Sequence, residues 1–237
     1  MPWPSDQLRE PLPAAGRPGP RTTGNRCAGI ILAAGASRRL GRPKQLLPYG
    51  TGVLLDAVLA TARICDFSQT VLALGGAAAE VQRTVDTGGC EVVLNPDFGE
   101  GCGSSIAAAL AAVRPEADAV VLLLGDQPGV RASSVRAVLG ALRQAASGTG
   151  ATGAAAARTA WPGVAVCRYD DGVGHPLAFA RRVFPDLAAL HGDKAVWKLL
   201  ARRADDVVEV RTPGRVPPDV DSEDDYRRLL DELQAVT

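Results

Sequence analysis

The sequence predicts an α/β fold with a mostly parallel central sheet, on three observations. Short runs rich in Val, Leu and Ile alternate with stretches whose apolar residues recur at helical spacing, so strands and helices alternate along the chain. The run Ala119–Leu124 is apolar at every position, as a strand covered on both faces must be. The densest groups of Gly, Ser and charge come directly after strand ends, where parallel sheets hold their ligands.

Residues 1–26 hold six prolines (Pro2, Pro4, Pro11, Pro13, Pro18 and Pro20) and no apolar segment. They read as a disordered tail without a signal peptide, ahead of one domain over 27–237. Positive and negative side chains balance at 26 each, which leaves no bulk field for nucleic acid, and no run has the length of a membrane span. The expectation is a cytoplasmic protein that binds neither nucleic acid nor membrane, so any polyanion must be held locally. The five cysteines form no CxxC pair that would suggest zinc. Cys27, Cys65, Cys90 and Cys167 read as small buried hydrophobes. Cys102 lies in a glycine-rich loop, and a nucleophilic role for it would require a nearby base.

Residues 28–33 form the first strand, which stops at Ala34-Gly35. Ala33, Ala34 and Gly35 have almost no side chain, so a ligand can approach their backbone N–H groups. Ser37, Arg38, Arg39 and Lys44 then offer a hydroxyl and three cations, the composition of a phosphate cradle. The spacing excludes a P-loop, because Gly35 and Gly41 enclose five residues and Lys44 follows Arg42-Pro43. It also excludes the dinucleotide fingerprint, which needs Gly where Ser37 stands. A solvated basic loop is the plain alternative.

Leu54, Leu55, Val58, Leu59 and Ala62 mark one face of a helix. Residues 70–74 form a strand ended by Gly75-Gly76, 77–85 a helix, and 91–94 a third strand before Asn95-Pro96. This strand–helix alternation implies parallel pairing with right-handed crossovers. In 99–105, Ser104 and Ser105 open a helix continued by Ile106, Leu110 and Val113. Their hydroxyls serve either as an ordinary cap or as part of an anion site. Ala119–Leu124, the predicted sheet centre, ends in Gly125-Asp126-Gln127-Pro128, which is both a good turn and a place for a metal-binding carboxylate.

Val135, Val138, Leu139 and Leu142 form another helix, and 145–157, nearly all Ala, Gly, Ser and Thr, reads as a flexible connection. Strands follow at 164–167 and, after a turn containing His175-Pro176, within 173–179. Residues 207–210 form the last strand. Acidic residues 219–225 open a terminal helix with Tyr226, Leu229, Leu230 and Leu233 on its face, and there Asp221 or Ser222 suits a capping role.

LAAGASRRLGRPKQLL, GDQP, GHP and DVDSEDDY, in this order, resemble the motifs of nucleotidyltransferases related to molybdenum cofactor biosynthesis, above all the cytidylyltransferase branch. The resemblance spans 28–235. It implies a Rossmann-like three-layer sandwich of the nucleotide-diphospho-sugar transferase type. It also implies Mg2+-dependent transfer of a nucleoside monophosphate from an NTP, with CTP favoured, to a molybdopterin-type acceptor, and a molybdoenzyme or its maturation chaperone as a further partner. The catalytic groups implied are Lys44, Arg39 and Asp126. The nucleotide pocket would comprise Leu32, Ala33, Ala34, Gly35, Ser37, Arg39, Lys44, Gly75, Asn95, Ser104, Ser105 and Asp126. Gln127, His175 and Pro176 would contact the acceptor, and Asp126 with Asp221 would hold Mg2+.

Ala34 stands where guanylyl-transferring relatives commonly carry Gly, and its methyl leaves less room for a purine. Two departures accompany the match. Ser222 replaces Thr, and Ala195-Val196-Trp197 replaces Gly-Ala-Arg, which removes one anion contact. Trp197 is then expected in the core beside Leu200, with stacking on a flat ring as the alternative. Guanylyl or sugar-1-phosphate transfer, or a non-catalytic nucleotide-binding role, are the competing functions, and the presence of Lys44, Asp126 and Asp221 together opposes the last.

Overall fold

The computed structural model describes residues 26–146 and 162–236. The expected tail and the 145–157 connection fall, apart from their edge residues, outside this part. In chain order the strands are β1 (Cys27–Ala33), β2 (Pro48–Tyr49), β3 (Gly52–Val53), β4 (Gln69–Leu74), β5 (Cys90–Leu94), β6 (Ala119–Leu124), β7 (Val164–Arg168), β8 (Val173–Ala180) and β9 (Val207–Arg211). The helices are α1 (Leu54–Ile64), α2 (Ala78–Thr84), α3 (Cys102–Ala111), α4 (Ala132–Ala146), α5 (Phe184–Ala188), α6 (Ala195–Arg202) and α7 (Glu223–Val236).

Seven strands form one sheet in the order β5-β4-β1-β6-β8-β7-β9, and β2 pairs with β3 in a small hairpin. The first four run parallel. β8 is antiparallel to both neighbours, and β9 lies parallel to β7. β6 is the middle strand, where its unbroken apolar run places it. His175 differs from expectation: it lies inside β8 instead of in a turn before it.

Side chains alternate across the sheet with the two-residue period of a strand. Ile31, Leu72, Leu74, Val121 and Leu123 face α1, α2 and α4 through Leu55, Leu59, Val81, Val135 and Val138. Ile30, Val71, Ala73, Val120, Leu122 and Phe179 face α3, α5 and α6 through Ile106, Leu187 and Leu199. The result is the predicted three-layer sandwich. A third cluster, Leu47, Leu54, Val220, Tyr226 and Leu229, seats α7 beside the start of α1. Cys27, Cys65 and Cys167 are buried, whereas Cys90, on the edge strand β5, is only half-buried.

The exits of β4, β1 and β6 lie close together. Gly125 N–H donates to the Leu32 carbonyl at 2.9 Å, tying the end of β6 to β1. A Cβ on Gly75 would sit 2.4 Å from the Ala34 carbonyl and 2.8 Å from the Phe98 ring, so only glycine lets these segments approach. A Gly75→Ala substitution should therefore cost about 2 kcal/mol and lower the melting temperature by roughly 4–8 °C. Calorimetry checks this, and an unchanged melting temperature would show that the contact is not tight.

Candidate active site

Beyond β1 the chain folds back on itself. Ser37 adopts φ 50°, its carbonyl accepts from the N–H groups of Leu40 and Gly41, both at 3.1 Å, and its hydroxyl accepts from Lys44 N–H at 3.0 Å. Pro43 leads into a 3-10 turn at Lys44–Leu46. Beneath the loop, the buried Gln45 carboxamide donates to the Ala33 carbonyl at 2.5 Å and the Gly35 carbonyl at 3.3 Å. These bonds fix where the Lys44 side chain emerges.

Lys44 Nζ lies 2.5 Å from Asp126 Oδ2 and 2.9 Å from Asp221 Oδ1. Asp126 follows the central strand, in a turn closed by Gln127 N–H on the Leu124 carbonyl at 3.2 Å. Asp221 directly precedes α7. There the alternative left open by the sequence resolves to Ser222: its hydroxyl accepts from Asp225 N–H at 3.2 Å, while Asp225 Oδ2 accepts from Ser222 N–H at 2.8 Å. This reciprocal cap leaves Asp221 facing Lys44. Arg39 adds a second cation to Asp221 at 2.9 Å.

The charges respond to one another. Burial alone would lower the Lys44 pKa, but Asp126 and then Asp221 outweigh it and raise the ammonium above its ordinary value. The Lys44 hydrogen bond, reinforced by Arg39, holds Asp221 below the usual carboxylate range. Asp219 is pushed up to about 6 by burial and by the neighbouring Asp126 charge.

These groups border a cavity of about 530 Å³ at the carboxyl ends of β1 and β6, a size typical of small-molecule sites. Of the expected residues it gathers Leu32, Ala33, Ala34, Gly35, Ser37, Arg39, Lys44, Ser105, Asp126 and Asp221. Among the described residues no group of three or more His, Cys, Asp or Glu forms a ready metal cluster. Two carboxylates meeting on one ammonium nonetheless fit a hard divalent cation such as Mg2+, which completes its shell with phosphate and water oxygens.

A family model described as the MobA-like NTP transferase domain matches residues 29–207. The chain belongs to this family. Rv0371c from Mycobacterium tuberculosis H37Rv, solved as a complex with manganese, is 44% identical and aligns over 86% of this chain and 98% of its own, with a TM-score of 0.70. Nicotine blue oxidoreductase from Paenarthrobacter nicotinovorans is 37% identical over 47% of this chain and 54% of its own length. Molybdenum cofactor cytidylyltransferase from Escherichia coli (strain K12) is 35% identical over 42% of this chain and 50% of its own. The chain thus spans about half the length of these two curated relatives. The mixed, mostly parallel sheet is that of nucleotidyltransferases.

Other expected residues of this MobA-like domain lie outside the cavity lining. Gly75 is packed under Ala34 and Phe98. Buried Asn95 donates to the hydroxyls of Ser104 and Ser105 at 3.0 and 2.9 Å, so these groups knit the exit of β5 to α3. That helix begins at Cys102, two residues earlier than expected. Gln127 is buried and bonded to Pro217 and Asp219. His175 is buried at the edge of the Trp197 ring, 5.9 Å between centroids, and Pro176 follows it inside β8. Trp197, expected in the core, is 39% exposed.

Arg38, read in the sequence as a cation of the phosphate cradle, also lines the cavity, and several lining residues had no assigned role: Gln45, Phe98, Asp193, Lys194 and Asp219. Lys194 sits at φ 56° just before α6. The glycine-rich loop serves this wall. A Cβ on Gly101 would lie 2.6 Å from the Gly192 backbone, and one on Gly103 2.6 Å from the Leu190 carbonyl. Gly192 followed by two charges ahead of a helix was the available sequence signal. Cys102 also lines the cavity, but burial pushes its thiol pKa up, away from a reactive thiolate.

Burial pushes the His175 pKa down to about 4. The unfolded chain, with an ordinary value near 6.5, therefore takes up a proton first as the pH falls. This contribution to stability is complete above about pH 6.5 and declines towards pH 4. Between pH 7 and 5 the native chain should lose roughly 2 kcal/mol through this group. In denaturant titrations His175→Asn should show a correspondingly flatter pH dependence, and an identical slope would exclude His175 as the source.

Proposed function

We propose that this chain catalyses Mg2+-dependent transfer of a nucleoside monophosphate, from CTP by preference, to the terminal phosphate of a molybdopterin-type acceptor. The observation that carries the reading is the Lys44 ammonium held between Asp126 and Asp221 at the mouth of the cavity. Phosphoryl transfer needs positioning and neutralisation of charge more than covalent help, and these groups supply both. The manganese complex of Rv0371c and the similarity to the cytidylyltransferase support the reading.

In this proposal the backbone N–H groups of residues 34–37, with Lys44, Arg38 and Arg39, bind the triphosphate. Asp126 and Asp221 would hold the divalent cation, which when bound supplies charge neutralisation and Lewis acidity at the phosphates. With the carboxylates holding the cation, the Lys44 ammonium would be free to donate to phosphate oxygens. An oxygen of the acceptor phosphate attacks the α-phosphorus in line, the bond to the bridging oxygen breaks, and pyrophosphate leaves with that electron pair. No general base is required, because the phosphate monoester is already ionised at neutral pH. The Ala34 methyl narrows the base end of the pocket and favours a pyrimidine.

Pyrophosphate release from purified molybdopterin, CTP and Mg2+ tests the proposal. Asp126→Asn and Asp221→Asn should each slow turnover by about 100- to 10,000-fold with the native circular dichroism retained. Near-normal release from Asp126→Ala would overturn the metal assignment. In a thermal-shift comparison with Mg2+, CTP should stabilise the chain more than GTP, ATP or UTP. A larger shift with GTP would reverse the base assignment.

A further inference from the structure

Residues 217–221 form a segment without regular secondary structure. Val220 is fully buried against Leu47, Leu54 and Tyr226, whereas Asp219 and Asp221, on either side of it, both line the cavity opposite Asp126. Burying Val220 therefore turns both carboxylates towards the ligand. It does not set how far the segment stands from Asp126.

Besides Lys44, which bridges Asp126 and Asp221, one further side chain ties the two segments together. Gln127 follows Asp126 directly and is 3% exposed. Its Nε2 donates to the Pro217 carbonyl at 3.0 Å and to Asp219 Oδ1. Both partners are acceptors, so the carboxamide orientation is fixed: only the NH2 end can face them. Its Oε1 is buried without a protein partner, an arrangement tolerated where the two donated bonds, one of them to a charged group, outweigh the loss.

We propose that Gln127 is a positioning residue of the cation site, holding the 217–221 segment at the separation from Asp126 that a divalent cation requires. Asp219 is its anchor and adds negative charge beside the two carboxylates that would bind the ion. The inference rests on the nucleotidyltransferase reading of this pocket and gives Gln127 a role apart from acceptor contact. Gln127→Met keeps the length and packing of the side chain and removes both N–H donors. Asp219→Asn keeps the shape and removes the charge.

The test is Mn2+ binding to the full chain without nucleotide, followed by loss of the free-ion electron paramagnetic resonance signal, together with CTP binding measured without metal. Gln127→Met should weaken Mn2+ binding about tenfold, Asp219→Asn should weaken it several-fold, and metal-free CTP affinity should stay within twofold of the native chain in both. Leu122→Ala, a destabilising change in the core, should leave Mn2+ affinity unchanged, which separates positioning from general loss of stability. If Gln127→Met binds Mn2+ like the native chain while Asp126→Asn does not, the positioning role falls and the transferase reading stands. If Asp126→Asn and Asp221→Asn also bind Mn2+ normally, the reading of the site itself falls.

Discussion

The site depends on one ammonium group set between two carboxylates. Lys44 is 16% exposed at its side chain and Asp126 9%, so neither charge could be placed there alone without a penalty of several kcal/mol. Lys44 and Asp126 neutralise one another, Asp221 being shared between Lys44 and Arg39, and removing one partner of such a buried pair typically costs about 3–5 kcal/mol. The three residues come from the first loop, the exit of the central strand and the approach to the last helix. Their meeting therefore requires the sheet order, the loop geometry and the seating of α7 to be correct at once. Lys44 also keeps two acidic groups close together when they would otherwise repel.

The scaffold makes this arrangement possible by separating rigid from irregular parts. Strands of the sheet alternate their side chains between two cores, and β1 and β6 end at the candidate site. The loops beyond them lack regular structure but are tied by short-range bonds, such as Ser37 to Lys44 and Gln45 to Ala33. Lys44 and Asp126 are each followed by a buried glutamine. Gln45 clamps the loop after Lys44, and Gln127 clamps the segment opposite Asp126.

Much of this was legible in the chain. Period-two and helical patterns marked most elements, the unbroken apolar run of β6 marked the middle of the sheet, and small residues followed by cations marked the first loop. Asp126 and Asp221 stood out through the resemblance of GDQP and DVDSEDDY to the motifs of the family, since position alone suited a turn at the first and a helix cap at the second. The rest depends on distances in space. Nothing in the letters near 95–105 says that Asn95 takes up both serine hydroxyls, or that Gly101 and Gly103 are small to admit the backbone at 190–193 and not a phosphate. His175 looked like a turn residue because Gly and Pro flank it, yet β8 continues through all three. Trp197 followed the helical spacing of Leu200 but sits at the margin of the apolar face, where part of the ring meets solvent.

The matched family segment stops at residue 207, while Asp221 and the Val220 peg beneath it lie beyond that point. A fragment trimmed to the recognisable region would keep the first loop and strands β4 to β8, yet lose nearly all of β9, an acid of the candidate site and the helix that seats it. The far end of the chain thus acts as a keystone for a pocket assembled mainly from its beginning. Because Tyr226 and Leu229 of the last helix pack with Val220, beside Asp221, a tag or fusion joined close behind that helix would bear on the candidate site before it bore on the sheet.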